Sequence, residues 1–228
     1  MNKKVIFISG IDTDCGKTIV TGLLAKFLQK TGKKVITQKL VQTGCSEISE
    51  DIETHRKIMN IGLLEEDKNH LTCPYIFQFP ASPHLSAKIE NTEIDIDKIL
   101  NSTNKLLEKF DIVLIEGAGG LLVPITSNYS TIDFIAKNKY PIILVSSSKL
   151  GSINHTLLSL ELIKNKELDL LTLVYNEFPN KNPIITEDTK LYLKNYLRNN
   201  FPKSAFYSIP VMSNVTDFNI AFDGLIIC

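Results

Sequence analysis

Short apolar runs recur along the chain at 5–8, 35–41, 111–115, 141–146, 170–175 and 205–209. Between them lie stretches whose apolar residues repeat every three to four positions. Runs that are apolar on both faces, alternating with amphipathic segments, predict a mostly parallel sheet covered by helices on both sides. The expected fold class is therefore α/β, three layers deep. The first helix is expected to follow Gly16, with Ile19, Leu23, Leu24, Phe27 and Leu28 on one stripe and Gly32 at its end. Further helices are expected near 51–60, 95–109, 131–138, 153–165 and 186–199. Pro74, Pro80 and Pro83 interrupt any long helix across 66–94, which predicts a loop-rich insertion there. With no internal repeat, low-complexity tract or long linker, residues 1–228 read as a single domain.

Charge narrows the choice of partner. The 25 Lys+Arg balance the 25 Asp+Glu, which argues against nucleic acid or an anionic membrane, since both recruit proteins through a positive field. The longest apolar stretches, such as 141–145, fall far short of the ~20 residues that span a bilayer. Asn2-Lys3-Lys4 followed by Val5–Ile8 imitates a signal peptide, but the run stops at Ser9-Gly10-Ile11-Asp12 and reads as a buried first strand. Cys15, Cys45, Cys73 and Cys228 match neither C-x-x-C nor a zinc spacing, so the expectation is a reduced thiol set in a cytoplasmic protein.

The strongest chemical signal is Gly10-Ile11-Asp12-Thr13-Asp14-Cys15-Gly16-Lys17-Thr18, between the first strand and the first helix. Glycines in such a loop let backbone N–H groups curl around a phosphate, and the helix N-terminus adds a positive dipole. Lys17 is expected to bridge β- and γ-phosphates, and the Thr18 hydroxyl to bind the Mg²⁺ that neutralises them. The loop carries five residues between its glycines, where the common pattern has four. Its strand–loop–helix setting nevertheless predicts a P-loop NTPase-like fold. Cys15, at the helix N-terminus, reads as a loop-packing residue.

Open parallel sheets bind ligands at the carboxyl ends of their strands. The run 111–115 delivers Glu116 and then Gly117-Ala118-Gly119-Gly120, which fits either a metal-binding carboxylate with room for a phosphoryl group or a plain glycine-rich turn. Lys39, in an otherwise apolar run, needs an anion unless it sits on an exposed edge. Asp51 is expected to open a helix, as its N-cap or as a third oxygen ligand beside Thr18 and Glu116. The four histidines, His55, His70, His84 and His155, lack metal-ligand spacing and read as capping or packing residues.

Taken together, Gly-x-Asp-Thr-x-x-Gly-Lys-Thr at 10–18, Lys39-x-Val41-Gln42-Thr43-Gly44, Asp51-Ile52-x-x-His55-Arg56, Ser82-Pro83-His84, Glu116-Gly-Ala-Gly-Gly120 and Lys149-Leu-Gly-x-Ile-Asn-His155 resemble dethiobiotin synthetases. They stand in family order over roughly residues 5 to 177, and the five-residue loop is the family's normal form. The resemblance implies a homodimer that converts 7,8-diaminononanoate, CO₂ and ATP, with Mg²⁺, into dethiobiotin, ADP and phosphate. It implies that Thr18, Asp51 and Glu116 are Mg²⁺ ligands, that Asp14, Cys15, Gly16, Lys17 and Thr18 form the phosphate cradle, and that Lys39, Lys17 and Thr13 are catalytic. Thr43 resembles the substrate-contacting hydroxyl, Asn176 the residue that reads the nucleotide base, and Pro210 the start of the loop covering that base. Gly151, Ser152 and Asn154 correspond to a helix start that binds the substrate carboxylate across the dimer interface. Asp14 stands where many members have glutamate, and the stretch after Pro210 has no clear counterpart of the acid expected near the nucleotide.

Two rival readings remain at this level. An amidating ligase with the same loop would add a glutamine-hydrolysing domain, for which 228 residues leave no room. A partitioning-type ATP switch would carry a lysine near the start of the loop and often ends in a basic amphipathic helix. The stretch Ser9-Gly10-Ile11 has no such lysine, and the chain ends in 222–228 without a basic helix.

Overall fold

The computed structural model describes residues 3–222; Asn2, Cys228 and most of the 222–228 stretch lie outside them. In chain order the elements are β1 (Lys4–Gly10), α1 (Lys17–Lys30), β2 (Val35–Lys39), β3 (Gln42–Thr43), α2 (Glu50–Met59), α3 (Glu65–Lys68), β4 (Ile76–Phe77), α4 (Pro83–Ile89) and α5 (Ile96–Lys109). There follow β5 (Ile112–Gly120), β6 (Pro124–Thr126), β7 (Tyr129–Ser130), α6 (Thr131–Asn138), β8 (Ile142–Ser147), α7 (Ser152–Asn165), β9 (Leu170–Asn176), α8 (Pro183–Asn200) and β10 (Ala205–Ile209).

Six strands form one parallel sheet in the order β10-β9-β8-β1-β5-β2. Alternation along each strand sends successive side chains to opposite faces. Ile6, Ile8, Val35, Leu114, Val145 and Val174 pack with Val20, Leu23 and Leu24 of α1 and with Ile58 of α2. Phe7, Ile36, Val113, Ile115, Leu144 and Leu173 face the other way and join Ile99 and Leu106 of α5, Phe134 of α6 and Leu160 of α7. These are the expected three layers. Each fully buried Ile, Leu or Phe contributes about 1.5–3 kcal/mol to holding them together.

Two strand boundaries differ from expectation, and both matter for the site. The run expected as 35–41 leaves the sheet after Lys39: its N–H bonds the carbonyl of Thr72 (2.7 Å), and Gln42–Thr43 pairs with Ile76–Phe77 in a separate two-stranded sheet. The run expected to end at 115 continues through Glu116 to Gly120. A bulge between Ile8 and Gly10 keeps β5 paired with β1, so the glycines are strand rather than turn. The stretch 66–94 is loop-rich as expected, with Pro83 at the start of α4. Among the described residues no helix is long and apolar enough to cross a membrane.

Candidate active site

The chain reverses its direction of travel across the sheet at β1, whose two neighbours, β5 and β8, lead to opposite edges. The carboxyl ends of strands at such a point open onto a crevice. The loop 11–16 fills the step from β1 to α1. Gly16 sits at φ 101°, a left-handed conformation open mainly to glycine, and a Cβ there would lie 2.3 Å from the Asn176 amide nitrogen. Gly10 is equally constrained, since its Cβ would meet the Cys15 sulfur at 2.4 Å. Cys15 is buried and packs the loop from beneath, as expected. The Lys17 ammonium reaches back over the loop to the Asp12 carbonyl at 2.8 Å.

Beside this loop, register places Lys39 of β2 opposite Glu116 of β5. Both are buried, and Lys39 Nζ lies 3.0 Å from Glu116 Oε1 and forms a second ion pair with Asp51 of α2. Asp51 is not the helix cap: Ser49 is, accepting from the Ile52 N–H. Asp51 sits in the first turn with its carboxylate turned into the site. Thr18 Oγ1 lies between the two acids, 2.9 Å from Asp51 Oδ1 and 3.0 Å from Glu116 Oε1. Three oxygen donors from α1, α2 and β5 thus converge on one point, a set that suits Mg²⁺, which takes one or two carboxylates and completes its shell with phosphate and water.

Electrostatics keep Glu116 and Lys39 ionised. Burial alone would raise the Glu116 carboxyl, but Lys39, His55 and Lys17 outweigh it and hold Glu116 well below the usual carboxylate range. Burial likewise opposes the charge on Lys39, yet Glu116 and Asp51 prevail and its pKa stands above the ordinary lysine value. His55 Nε2 holds the second Glu116 oxygen at 2.7 Å, while its Nδ1 meets Thr37 Oγ1 at 3.0 Å. Behind it, Arg56 grips Asp67 through two nitrogens (2.9 and 2.8 Å) and donates to Thr37 Oγ1 (2.8 Å).

A cleft of about 1110 Å³ runs over these groups. Thr13, Asp14, Gly16, Lys17, Thr18, Lys39, Thr43, Asp51, Glu116, Asn176 and Pro210 all line it. Residues 80–83 of the insertion form one wall. The Asn176 side chain is engaged at both ends: Nδ2 donates to the Cys15 carbonyl (3.1 Å), and Oδ1 accepts from the Phe178 N–H (3.1 Å). Gly151, Ser152 and Asn154 do not line the cleft; only their neighbour Lys149 does. Gly151 precedes α7 at φ 94°, and the Oγ of buried Ser152 has no hydrogen-bond partner among the described residues.

A family model described as an AAA domain matches residues 4–217. Over 210 residues the chain is 50% identical to the ATP-dependent dethiobiotin synthetase BioD 2 of Pasteurella multocida (strain Pm70), covering 92% of this chain and 99% of that relative. The chain belongs to the dethiobiotin synthetase family. A second member, from Chlorobaculum tepidum (strain ATCC 49652 / DSM 12025 / NBRC 103806 / TLS), is 50% identical over 190 residues, 83% of this chain and 80% of the relative. Among solved structures, a ParA family ATPase from Chlorobium tepidum TLS superposes with a TM-score of 0.53 at 15% identity, covering 92% of this chain and 86% of the other. That likeness shows the fold alone: a P-loop NTPase-like α/β fold.

Within this dethiobiotin synthetase site, the expectation for His55 needs correction. It is not a simple packing residue, because its ring fixes the Glu116 carboxylate from behind. The signal was available: Asp51 and His55 stand four apart, on one face of α2. His155 is exposed, and His84 Nδ1 lies 3.0 Å from the Oγ of neighbouring Ser82; neither caps its helix, since no side-chain cap hydrogen bond is made at the start of α4 or α7. Phe178, Met212 and Val215, which line the cleft near Pro210, carried no chemical signature in the sequence.

Proposed function

We propose that this chain, a single domain acting as a homodimer in the cytoplasm, forms dethiobiotin from 7,8-diaminononanoate and CO₂ while ATP becomes ADP and phosphate. The observation that supports this most is the meeting of the Lys39 ammonium and the Thr18 hydroxyl with the carboxylates of Asp51 and Glu116, beside a phosphate-type loop across which the Lys17 ammonium lies, in a chain half identical to named dethiobiotin synthetases. One substrate amine adds to CO₂ and loses a proton, giving a carbamate. A carbamate oxygen then attacks the γ-phosphorus, and the β–γ bridging oxygen leaves on ADP. Finally the second amine attacks the carbamoyl carbon and expels phosphate, closing a cyclic urea with loss of a proton.

Negative charge gathers at each stage, and fixed cations are the protein's main means of stabilising it. Lys17 and the N–H groups of 14–18 hold the β- and γ-phosphates. Lys39, kept charged by Glu116 and Asp51, is placed to turn from these acids toward carbamate and transferring oxygens. Thr18, Asp51 and Glu116 would hold Mg²⁺, which supplies charge neutralisation at the phosphates. Thr13 and Thr43 offer hydroxyls along the substrate path, and no side chain acts as a covalent nucleophile. Asn176 retains a second amide proton and a second carbonyl lone pair with which to meet the base.

Purified protein supplied with diaminononanoate, bicarbonate, ATP and Mg²⁺ should yield dethiobiotin. ATP hydrolysis that proceeds equally without diaminononanoate would instead indicate an ATP switch. The metal assignment predicts that Thr18→Val and Asp51→Asn each raise the Mg²⁺ needed for half-maximal rate. Because Ser49 caps α2, Asp51→Asn should leave the melting temperature nearly unchanged; an unaltered Mg²⁺ requirement would remove Asp51 from the ligand set.

The carboxylate of diaminononanoate lies a long apolar chain away from its amines, so its site must lie well away from the phosphate loop. The start of α7 offers first-turn N–H groups, apart from that of Ser152, which bonds the Lys149 carbonyl, and a helix dipole, but Gly151, Ser152 and Asn154 do not line this chain's cleft. We therefore assign it to the active site of the other subunit. Mixing Lys17→Ala subunits with subunits carrying Asn154→Ala and Gly151→Glu should then restore activity, because one site of each mixed dimer escapes all lesions. Proven subunit exchange without recovery would place the carboxylate site within one chain.

A further inference from the structure

Helix α1 lines the cleft with its first turn and, further along, holds the segment that supplies part of the cleft's wall. Its first turn presents Lys17 and Thr18. Nine residues on, about 13 Å along the axis, Lys26 is only 8% exposed and donates to the main-chain carbonyls of Thr216 (2.6 Å) and Phe218 (3.3 Å). Among the described residues Lys26 forms no salt bridge, and these two carbonyls accept from its ammonium. A buried ammonium is retained only where its protons are bonded.

The segment that receives it, 210–222, runs from the end of β10 back over α1. Pro210, Met212 and Val215 of this strap line the cleft with Phe178 and Asn176. A second anchor lies further along: Phe222 is buried and packs edge-on against Phe27 of α1 (5.7 Å between centroids) and Tyr207 of β10 (5.2 Å). Between β10 and these anchors, the apolar wall formed by Met212 and Val215 has no regular secondary structure to hold it.

We propose that Lys26 is a positioning residue for the nucleotide. By tying the Thr216 and Phe218 carbonyls to the helix that carries Lys17 and Thr18, it fixes the distance between the phosphate loop and the apolar wall of the base end. This rests on reading the cleft as the ATP site. Affinity for the purine nucleotide should therefore depend on Lys26, and affinity for diaminononanoate should not.

The test uses the full-length protein and Mg-ADP titration calorimetry, with steady-state kinetics for both substrates. Lys26→Met should weaken ADP binding and raise the KM for ATP by about tenfold or more, the scale of lost hydrogen bonds to a charged group. The KM for diaminononanoate and the rate at saturating ATP should change by less than about twofold, well under one hydrogen bond's worth. Lys26→Arg, which also offers two donors, should recover most of the loss, and Phe222→Ala should weaken ADP in the same selective way. Because the chain contains no tryptophan, Phe218→Trp supplies a single reporter, whose emission should shift to the red when Lys26→Met is added. A red shift with unchanged ADP affinity would overturn the proposal, as would equal losses for ATP and diaminononanoate. Should Lys26→Met fail to fold, Lys26→Arg and Phe222→Ala decide the matter by the same titration. ADP binding that responds as expected in a protein that makes no dethiobiotin would leave this inference standing and remove the proposed reaction.

Discussion

Lys17→Ala should abolish productive nucleotide binding, whereas Lys39→Gln should leave nucleotide affinity largely intact and depress turnover by on the order of 10²-fold or more, as expected when one transition-state stabiliser is removed. The two ammonium groups differ in what surrounds them. Lys17 lies across the phosphate loop, with its ammonium on the Asp12 carbonyl, a weak partner that phosphate oxygens readily replace. Lys39 is held by Glu116, Asp51 and the Gly117 carbonyl (3.2 Å), on the strand side of the metal-type oxygens. Its charge is therefore placed for the reacting centre more than for the nucleotide body. Calorimetric titration with Mg-ADP beside single-turnover rates separates the two effects. Equal losses of affinity in both variants would remove the distinction.

The largest loss of stability should follow Arg56→Met. Arg56 and Asp67 are 1% and 2% exposed, and removing one partner of a buried ion pair typically costs about 3–5 kcal/mol because the other charge is left uncompensated. Adding Asp67→Leu to the same chain should return part of that loss, since a pair replaced by apolar groups is often close to neutral. Guanidinium unfolding of the single and double variants checks this; a double variant no more stable than the single would show the pair to be more than mutual compensation. Burial by itself would raise the Asp67 carboxyl, but Arg56 and the bonds from Leu64 N–H and Thr72 outweigh it and hold it below its ordinary value. Its stabilising contribution is thus complete above the unfolded-state pKa and is lost as pH falls through the lower folded one. The Arg56→Met variant should accordingly lose less stability than the parent on acidification below about pH 4. Through Thr37 and His55 the same pair also supports Glu116, so turnover should fall even where the variant stays folded.

Much of the scaffold was legible because parallel strands buried on both faces leave a direct trace: continuous apolar runs separated by helical periodicity. α1, α5, α6 and α7 lie within a residue or two of expectation for that reason. Glu116 and Lys39 stood out as charges at the ends of such runs, where burial demands a partner. The exact end of β5 did not, because glycines read as a turn unless the bulge that keeps them paired with β1 is known. Asp51 shows a different limit. In sequence an acid at a helix start serves equally as cap or ligand, and only the placement of Ser49 as the cap two residues earlier decides. Arg56 was hidden more deeply, since its role depends on Thr37 and Asp67, from other elements. The apolar wall of Phe178, Met212 and Val215 left no trace, because a few apolar side chains in loops have no periodicity to betray them.

The strand order carries a consequence for how the molecule comes into being. β1 and β2 are consecutive in the sheet-forming sequence yet never touch; β5 lies between them. Until residues 112–120 emerge from the ribosome, neither strand can complete its hydrogen bonding on that side, and the growing chain must carry two apolar, half-paired strands across some seventy intervening residues. Non-local pairings of this kind form slowly and expose unpaired edges while they wait. The same insertion brings Glu116 to Lys39 and Thr18. The arrival of β5 therefore joins β1 to β2 and gathers the candidate cluster in a single event, before β8, β9 and β10 extend the other half of the sheet, so that a nascent chain shorter than about 120 residues should bind nucleotide no better than an unfolded one.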